Sequence, residues 1–220
     1  MARATLHIGN RNYSSWSLRA WICLRHLDID FETHALALYT SDSRKAISAL
    51  DAAGKVPVLV HDDLRLWDSL AICEYASDLA GGRGWPQSLA TRALARSISA
   101  EMHSGFLALR SQMPMNVRAR RQVERTPELS ADIARIDDSW SRARAKNAAS
   151  GPWLFGEWSI ADAMYTPVAL RFATYGVDLS ADAARYRDTV LSDPLLGDWL
   201  ADARAETWRI AAFEVGTPVD

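Results

Sequence analysis

Asn12-Tyr13-Ser14-Ser15-Trp16-Ser17-Leu18-Arg19 follows the short apolar run Leu6-His7-Ile8-Gly9, and the reading of these residues decides the fold. The apolar run reads as a strand, and residues 16–27, apolar at helical spacing, read as a helix. A serine-rich turn between the two places hydroxyls and free backbone N–H groups at one point, which suits a phosphate, carboxylate or thiolate. The ordinary role of a serine in this position is a helix N-cap. A second stretch adds to the first: Gly54-Lys55-Val56-Pro57-Val58-Leu59-Val60, then Asp62-Asp63, then Leu66-Trp67-Asp68-Ser69-Leu70-Ala71-Ile72. Residues 56–60 read as a strand whose proline must sit at its beginning or on an edge, because proline removes a ladder donor. Asp62-Asp63 makes a tight turn, 64–67 a partner strand, and Asp68-Ser69 the start of a serine-capped helix.

With 5–8 and 31–36 as strands and 43–50 as a short helix, the order is strand, serine turn, helix, strand, helix, proline-led strand, strand, helix. A right-handed β-α-β crossover follows if the first two strands are parallel. This order and these residues resemble the glutathione transferase family. Its thioredoxin-like half has a Ser, Tyr or Cys at the end of the first strand, a Val-Pro pair with a cis peptide bond, and an acidic-or-Gln plus Ser pair at the third helix. Ser14, Val56-Pro57 and Asp68-Ser69 match those features. Ser14-Ser15-Trp16-Ser17 is most similar to the zeta-type serine motif, although that motif usually has Cys where this chain has Trp16. Phe155-Gly156-Glu157-Trp158-Ser159-Ile160-Ala161-Asp162-Ala163 resembles the family's buried capping box, and Ser159 and Asp162 have the spacing for one.

The resemblance implies a thioredoxin-like glutathione-binding domain over 1–80 and an all-helical domain over 88–220. Ala80-Gly81-Gly82-Arg83-Gly84-Trp85-Pro86 breaks all periodicity, so 81–87 reads as a linker. In the second part the sequence reads as helices over 88–113, 127–147, 159–175, 181–191 and 194–207, with no strand pattern.

The chain has 220 residues, 49% of them apolar, with a formal charge of −2. No global field recruits nucleic acid or an anionic membrane. Arg118, Arg120, Arg121 and Arg125 form a local basic cluster that reads as a solvated face. Met1-Ala2-Arg3 leads straight into a strand with no apolar leader, and no apolar run reaches spanning length. The expectation is a cytoplasmic protein. Cys23 and Cys73 are the only cysteines and form no C-x-x-C pair, so they read as buried thiols without dithiol chemistry. The five histidines are scattered, and no metal site is expected.

By resemblance, Val56 would pair its backbone with the cysteinyl unit of glutathione like an added strand. Asp68 would face the γ-glutamyl amine, and Ser69 would hold that end's carboxylate at a helix start. Lys55 is either a further carboxylate partner or a solvated loop residue. Ser14 would donate its hydroxyl to the thiolate, with Ser15 as the competing candidate, since a one-residue slip in the turn exchanges the two. Lowering a thiol pKa by about two units requires roughly 2.7 kcal/mol, and one charge-assisted hydrogen bond supplies about 1.5–3 kcal/mol. Trp16, His103, Phe106 and Arg110 would border the electrophile, with Arg110 attracting an acidic substrate; packing and solvation are the ordinary roles of such residues on a long helix. Met115 and Asn116 are expected to lie too far along that helix to contribute. The implied activity is transfer of glutathione to a small electrophile, as in detoxification, by a homodimer.

Three rivals remain at this level. One is a zeta-type, maleylacetoacetate-like cis-trans isomerase, put in doubt by Trp16 and by Lys55 where that type has Gln. The others are a non-catalytic interaction module, which would have a degraded glutathione site, and a thioredoxin-fold redox protein, which lacks its cysteine.

Overall fold

The computed structural model describes residues 3–50 and 53–219. Met1 and Ala2, on which the reading of the first three residues partly rests, lie outside the described residues. Strand β1 (Ala4–Ile8) leads into helix α1 (Ser15–His26), strand β2 (Phe31–Ala35) and helix α2 (Ser41–Leu50). Strands β3 (Val58–His61) and β4 (Leu64–Trp67) and helix α3 (Ser69–Leu79) complete this part. The sheet order is β2-β1-β3-β4, with β1 and β2 parallel and the other pairs antiparallel. This is the thioredoxin-like β-α-β-α-β-β-α arrangement. Strand β3 begins at Val58, two residues later than expected, because the cis Val56-Pro57 bond precedes it and the ladder with β1 runs from His7↔Val58 to Thr5↔Val60.

The remainder is helical: α4 (Leu89–Ser104), α5 (Leu107–Gln112), α6 (Pro127–Asn147), α7 (Ile160–Thr174), α8 (Ala181–Leu191) and α9 (Pro194–Ala205). It also holds a two-residue ladder that the sequence reading lacked, β5 (Arg121–Gln122) against β6 (Thr217–Pro218). No helix among the described residues is long and apolar enough to cross a membrane.

The single helix expected over 88–113 is two helices. Gly105 is extended and Phe106 takes left-handed backbone angles (φ 61°), which ends α4 and restarts the chain as α5. The side chain of Arg110 closes the break: it donates to the carbonyls of Gly105 (2.8 Å), His103 (3.3 Å) and Met102. Those carbonyls would otherwise lack partners at a helix end.

One core runs through both parts. Helix α1 packs against α3 on one side and against α7 and α9 on the other, and nine of its twelve residues are buried. Helix α7 is buried almost throughout. Cys23 and Cys73 are fully buried and unoxidised.

Asp162, buried at the start of α7, accepts hydrogen bonds from Ser159 N (2.8 Å), the Ser159 hydroxyl (2.9 Å) and Leu154 N (3.1 Å). Burial pushes its carboxyl up to about 6, against the pull of those donors and of Tyr186. A carboxyl that holds its proton more tightly folded than unfolded lends stability that is full below its unfolded pKa, about 3.9, and lost as pH rises through the folded value. Denaturant unfolding of the native chain against Asp162→Asn should therefore show the native chain losing about 3 kcal/mol of relative stability between about pH 3 and about pH 7. A pH-independent difference between the two would refute this.

Candidate functional site

Ser14 is the N-cap of α1. Its Oγ accepts from Ser17 N (3.3 Å) and donates to Ser17 Oγ (2.8 Å), which in turn accepts the Gly9 N–H (3.0 Å). The strand end, the turn and the first helical turn are thus tied through two hydroxyls. Ser15 faces the other way. Its Oγ accepts from Arg171 Nη2 on α7 at 3.2 Å, and Arg171 also donates to the Met113 carbonyl. Both serines are buried.

Two guanidinium groups lie over the Trp16 ring. Arg19 is 4.7 Å from its ring centroid and Arg110 4.8 Å, while the His103 ring meets it edge-on at 5.2 Å. His103 Nε2 is 3.0 Å from the Asp68 carboxylate. Asp68, in left-handed backbone conformation (φ 72°), caps α3 by accepting from Leu70 N (2.8 Å) and Ala71 N (3.3 Å). Partial burial pushes the Asp68 carboxyl up, but the His103 hydrogen bond and charge and the two amides outweigh it and hold the carboxyl below its ordinary range. The cap of α3 is therefore Asp68, where a serine cap was expected. Ser69 is almost fully buried, and its Oγ has no hydrogen-bond partner among the described residues.

Three arginines converge here. Arg19 and Arg171 are buried, and each pKa is lowered to about 9, first by burial and then by Arg110, with Arg171 adding to the effect on Arg19. Arg110, half-buried, is also lowered by burial, opposed by Asp132. Arg19 donates to the Met164 carbonyl (3.1 Å), but its Nη1 has no partner among the described residues. No carboxylate forms a salt bridge with any of the three among the described residues. The site is a buried concentration of positive charge, met by Asp68 at its edge and by the charge of Asp132 on Arg110.

The structure thus brings Ser14, Ser15, Trp16, Asp68, His103 and Arg110 together with Ser69. Phe106 is at the helix break and packs into the core. Lys55 is exposed, Val56 is half-buried and Pro57 is buried just before β3. Sequence reasoning missed Arg19 and Arg171; the signal was a lone arginine in each of two apolar runs, Leu18-Arg19-Ala20 and Leu170-Arg171-Phe172. It also misjudged Asn116. Because α5 ends at Gln112 and the chain turns back, Asn116 Oδ1 accepts from Asn12 Nδ2 at 2.9 Å, beside the serine turn.

Two open grooves lie elsewhere. One of about 1150 Å³ is lined by Arg120, Arg125, Tyr175 and Gly216, and one of about 560 Å³ by His26, Trp85, Phe155 and Trp158. Neither includes the serine turn. Among the described residues no group of three or more His, Cys, Asp or Glu is placed to hold a metal.

Residues 13–79 match the family model for the glutathione S-transferase N-terminal domain. A glutathione transferase homologue from Burkholderia gl BGR1, solved with bound glutathione, superposes with a TM-score of 0.71 at 22% identity, covering 93% of this chain and 99% of that one. An unclassified glutathione S-transferase from Bombyx mori superposes with a TM-score of 0.72 at 19% identity, covering 93% and 95%. Residues 13–79 are therefore similar to that N-terminal domain, and the chain shares the fold of these solved glutathione transferases. Over 100 residues it is 30% identical to a probable maleylacetoacetate isomerase from Caenorhabditis elegans; that match spans 45% of this chain and about half, 46%, of that relative.

As a cap, Ser14 contributes to stability whatever its chemistry. Ser14→Ala should cost about 1 kcal/mol in urea unfolding. A change within a few tenths of zero would mean the cap is dispensable.

Proposed function

We propose that this protein is a glutathione-dependent transferase that holds the glutathione thiol as thiolate at the serine turn and adds it to a small electrophile. The observation that carries the reading is Ser69: a buried hydroxyl without a partner among the described residues, at the start of α3. It is beside the Asp68 carboxylate and two residues after Trp67, which pairs with Val58 just past Val56-Pro57. A buried polar group left unpaired costs free energy unless a ligand pairs it. In this reading residues 1–80 bind glutathione: Ser69 and the α3 N–H groups take the γ-glutamyl carboxylate, Asp68 its amine, and the Val56 main chain the cysteinyl unit. Lys55 is near enough in sequence to reach a carboxylate from the exposed side. Helices within 88–220 would supply the electrophile's wall.

The thiol proton leaves to solvent, the sulfur lone pair forms the new S–C bond, and the electrophile releases a leaving group or takes up a proton. Ser14, at the α1 N-terminus, donates to the sulfur, and the helix dipole and the Arg19–Arg110–Arg171 charge favour the anion further. The resemblance puts that donor at Ser14. The hydrogen-bond pattern supports Ser15, whose oxygen is already polarised by Arg171 and whose proton has no acceptor among the described residues. Paired variants decide between them. In the residue that makes the contact, substitution to Ala should lower conjugation at least tenfold, roughly the cost of one oxyanion-type donor or less, with glutathione affinity nearly unchanged. It should also raise the bound thiol pKa by about one unit or more, read by ultraviolet titration. Calorimetry finding no glutathione binding at several millimolar would end the whole reading in favour of an interaction module.

A second reading has its own observation. Three arginines that form no salt bridge among the described residues suit an electrophile that brings its own negative charge, as a maleylacetoacetate-like diacid does for cis-trans isomerisation. Trp16 and Lys55 stand where that type has Cys and Gln. Under this reading millimolar maleate should raise the melting temperature, and Arg110→Gln should remove most of that rise. An unchanged melting temperature would leave simple transfer. A homodimer is part of the proposal; exposed Leu64 and Trp67 on the edge strand are apolar side chains that a second copy would cover. Sedimentation of a monomer at micromolar concentration would remove it.

A further inference from the structure

After α9 the chain does not leave the molecule. Residues 206–219 run back across the serine turn and end beside the segment that follows α5. The Glu206 carboxylate accepts the Arg11 N–H (2.7 Å) and the Asn12 N–H (3.1 Å), one on each oxygen. Trp199 Nε1 donates to the Arg11 carbonyl (3.1 Å). Glu214 Oε1 accepts from the Tyr13 hydroxyl (2.6 Å) and from Asn116 Nδ2 (3.2 Å), and Arg121 donates to Oε2. The Phe213 ring sits 5.7 Å from Tyr13 and 5.9 Å from Tyr39. Arg118 reaches the carbonyls of Trp208 (2.7 Å) and Glu206 and the Tyr13 oxygen (3.3 Å). Every residue from Arg11 to Tyr13 is thus gripped by a group more than 100 positions away, and Ser14 comes next.

Of the basic cluster, Arg118, Arg120 and Arg125 are exposed, as expected of a solvated face, and Arg121 is not. Arg121 is covered by the returning segment, its side chain only 11% exposed, and both it and the exposed Arg118 hold that segment through its carbonyls. Burial pushes the Glu214 carboxyl up, but the Tyr13 hydroxyl, Arg121, Arg209 and Asn116 outweigh it and leave it below its ordinary range. A carboxylate so placed is a charged, multiply bonded anchor.

We infer that segment 206–217 is a strap that fixes the serine turn for thiolate contact, with Glu214 and Glu206 as positioning residues acting through Tyr13 and through the Arg11 and Asn12 amides. The catalytic part of this inference rests on the proposed thiol chemistry; the positioning part does not. The Tyr13 hydroxyl, adjacent to the turn and a natural suspect for thiol contact, is thereby assigned to the strap.

The test uses the full chain carrying Glu214→Ala, Glu214→Gln or Tyr13→Phe, with three readouts: melting temperature, hydrogen exchange over residues 9–18, and the thiol pKa of bound glutathione. In Glu214→Ala, exchange over 9–18 should speed up about tenfold while α6 and α8 are unchanged. The bound thiol should titrate closer to free glutathione, and kcat should fall about tenfold with KM for glutathione within about twofold. Glu214→Gln should recover most of both effects, because its amide oxygen still accepts from Tyr13 and Asn116. Unchanged exchange over 9–18 and an unchanged thiol pKa in a folded Glu214→Ala overturn the inference. If that variant does not unfold cooperatively, Tyr13→Phe, which removes one hydroxyl, is judged by the same two readouts. If the native chain binds no glutathione, the exchange arm still decides whether the strap positions the turn.

Discussion

Helix α1 is buried on nearly every face, and everything in the candidate site follows from how its polar groups survive there. Its first turn carries two serines and Trp16, and its second carries Arg19, 1% exposed. An arginine cannot give up its charge at neutral pH, so a buried one needs carbonyls, aromatic faces or an anion. Arg19 has the Met164 carbonyl and the Trp16 ring but leaves one nitrogen unpaired. Arg171 solves the same problem with Met113 and Ser15. The two halves of the chain are therefore joined at α1 by charge as well as by apolar packing, and the joint lies directly behind the serine turn.

That arrangement links stability to chemistry. Arg110 and Arg171 lower the pKa of Arg19, and Arg110 that of Arg171, so their proximity is unfavourable when nothing negative is present. The same field favours a thiolate, a carboxylate or both. Asp68 is oriented by His103 and by the α3 amides, and from the rim it offsets part of the field at Arg19. Trp16 has the guanidinium groups of both Arg19 and Arg110 over its ring, so an aromatic at this position takes up two positive charges.

What was legible in the sequence was local. The serine turn, the proline-led strand, the Asp62-Asp63 hairpin and the Ser159–Asp162 start of α7 each declare themselves within a few residues, through caps, turns and periodicity. The long helix over 88–113 was misread because apolar spacing continues through Gly105 and Phe106; only the folding back of Arg110 onto three carbonyls reveals the break. Arg121 looks like part of a solvated face because its partners are carbonyls and a carboxylate some 90 positions away, which no local pattern encodes. Asn116 escaped for the same reason, since its distance from the turn was measured along a helix that ends at Gln112.

The returning segment shows why such residues matter for a site built on a turn. A turn between a strand and a helix has few internal hydrogen bonds, and here Tyr13 N and Ser14 N both lean on the Asn10 carbonyl. Left to itself it would be among the softer parts of the molecule. Thiolate stabilisation by a hydroxyl depends on holding that donor to within a fraction of an ångström. The chain meets this demand from outside the turn: Glu206 saturates the Arg11 and Asn12 amides, Asn116 and Arg118 bind the Asn12 side chain, and Glu214 holds Tyr13. Rigidity at Ser14 and Ser15 is thus a property of contacts that close only when both ends of the chain are folded.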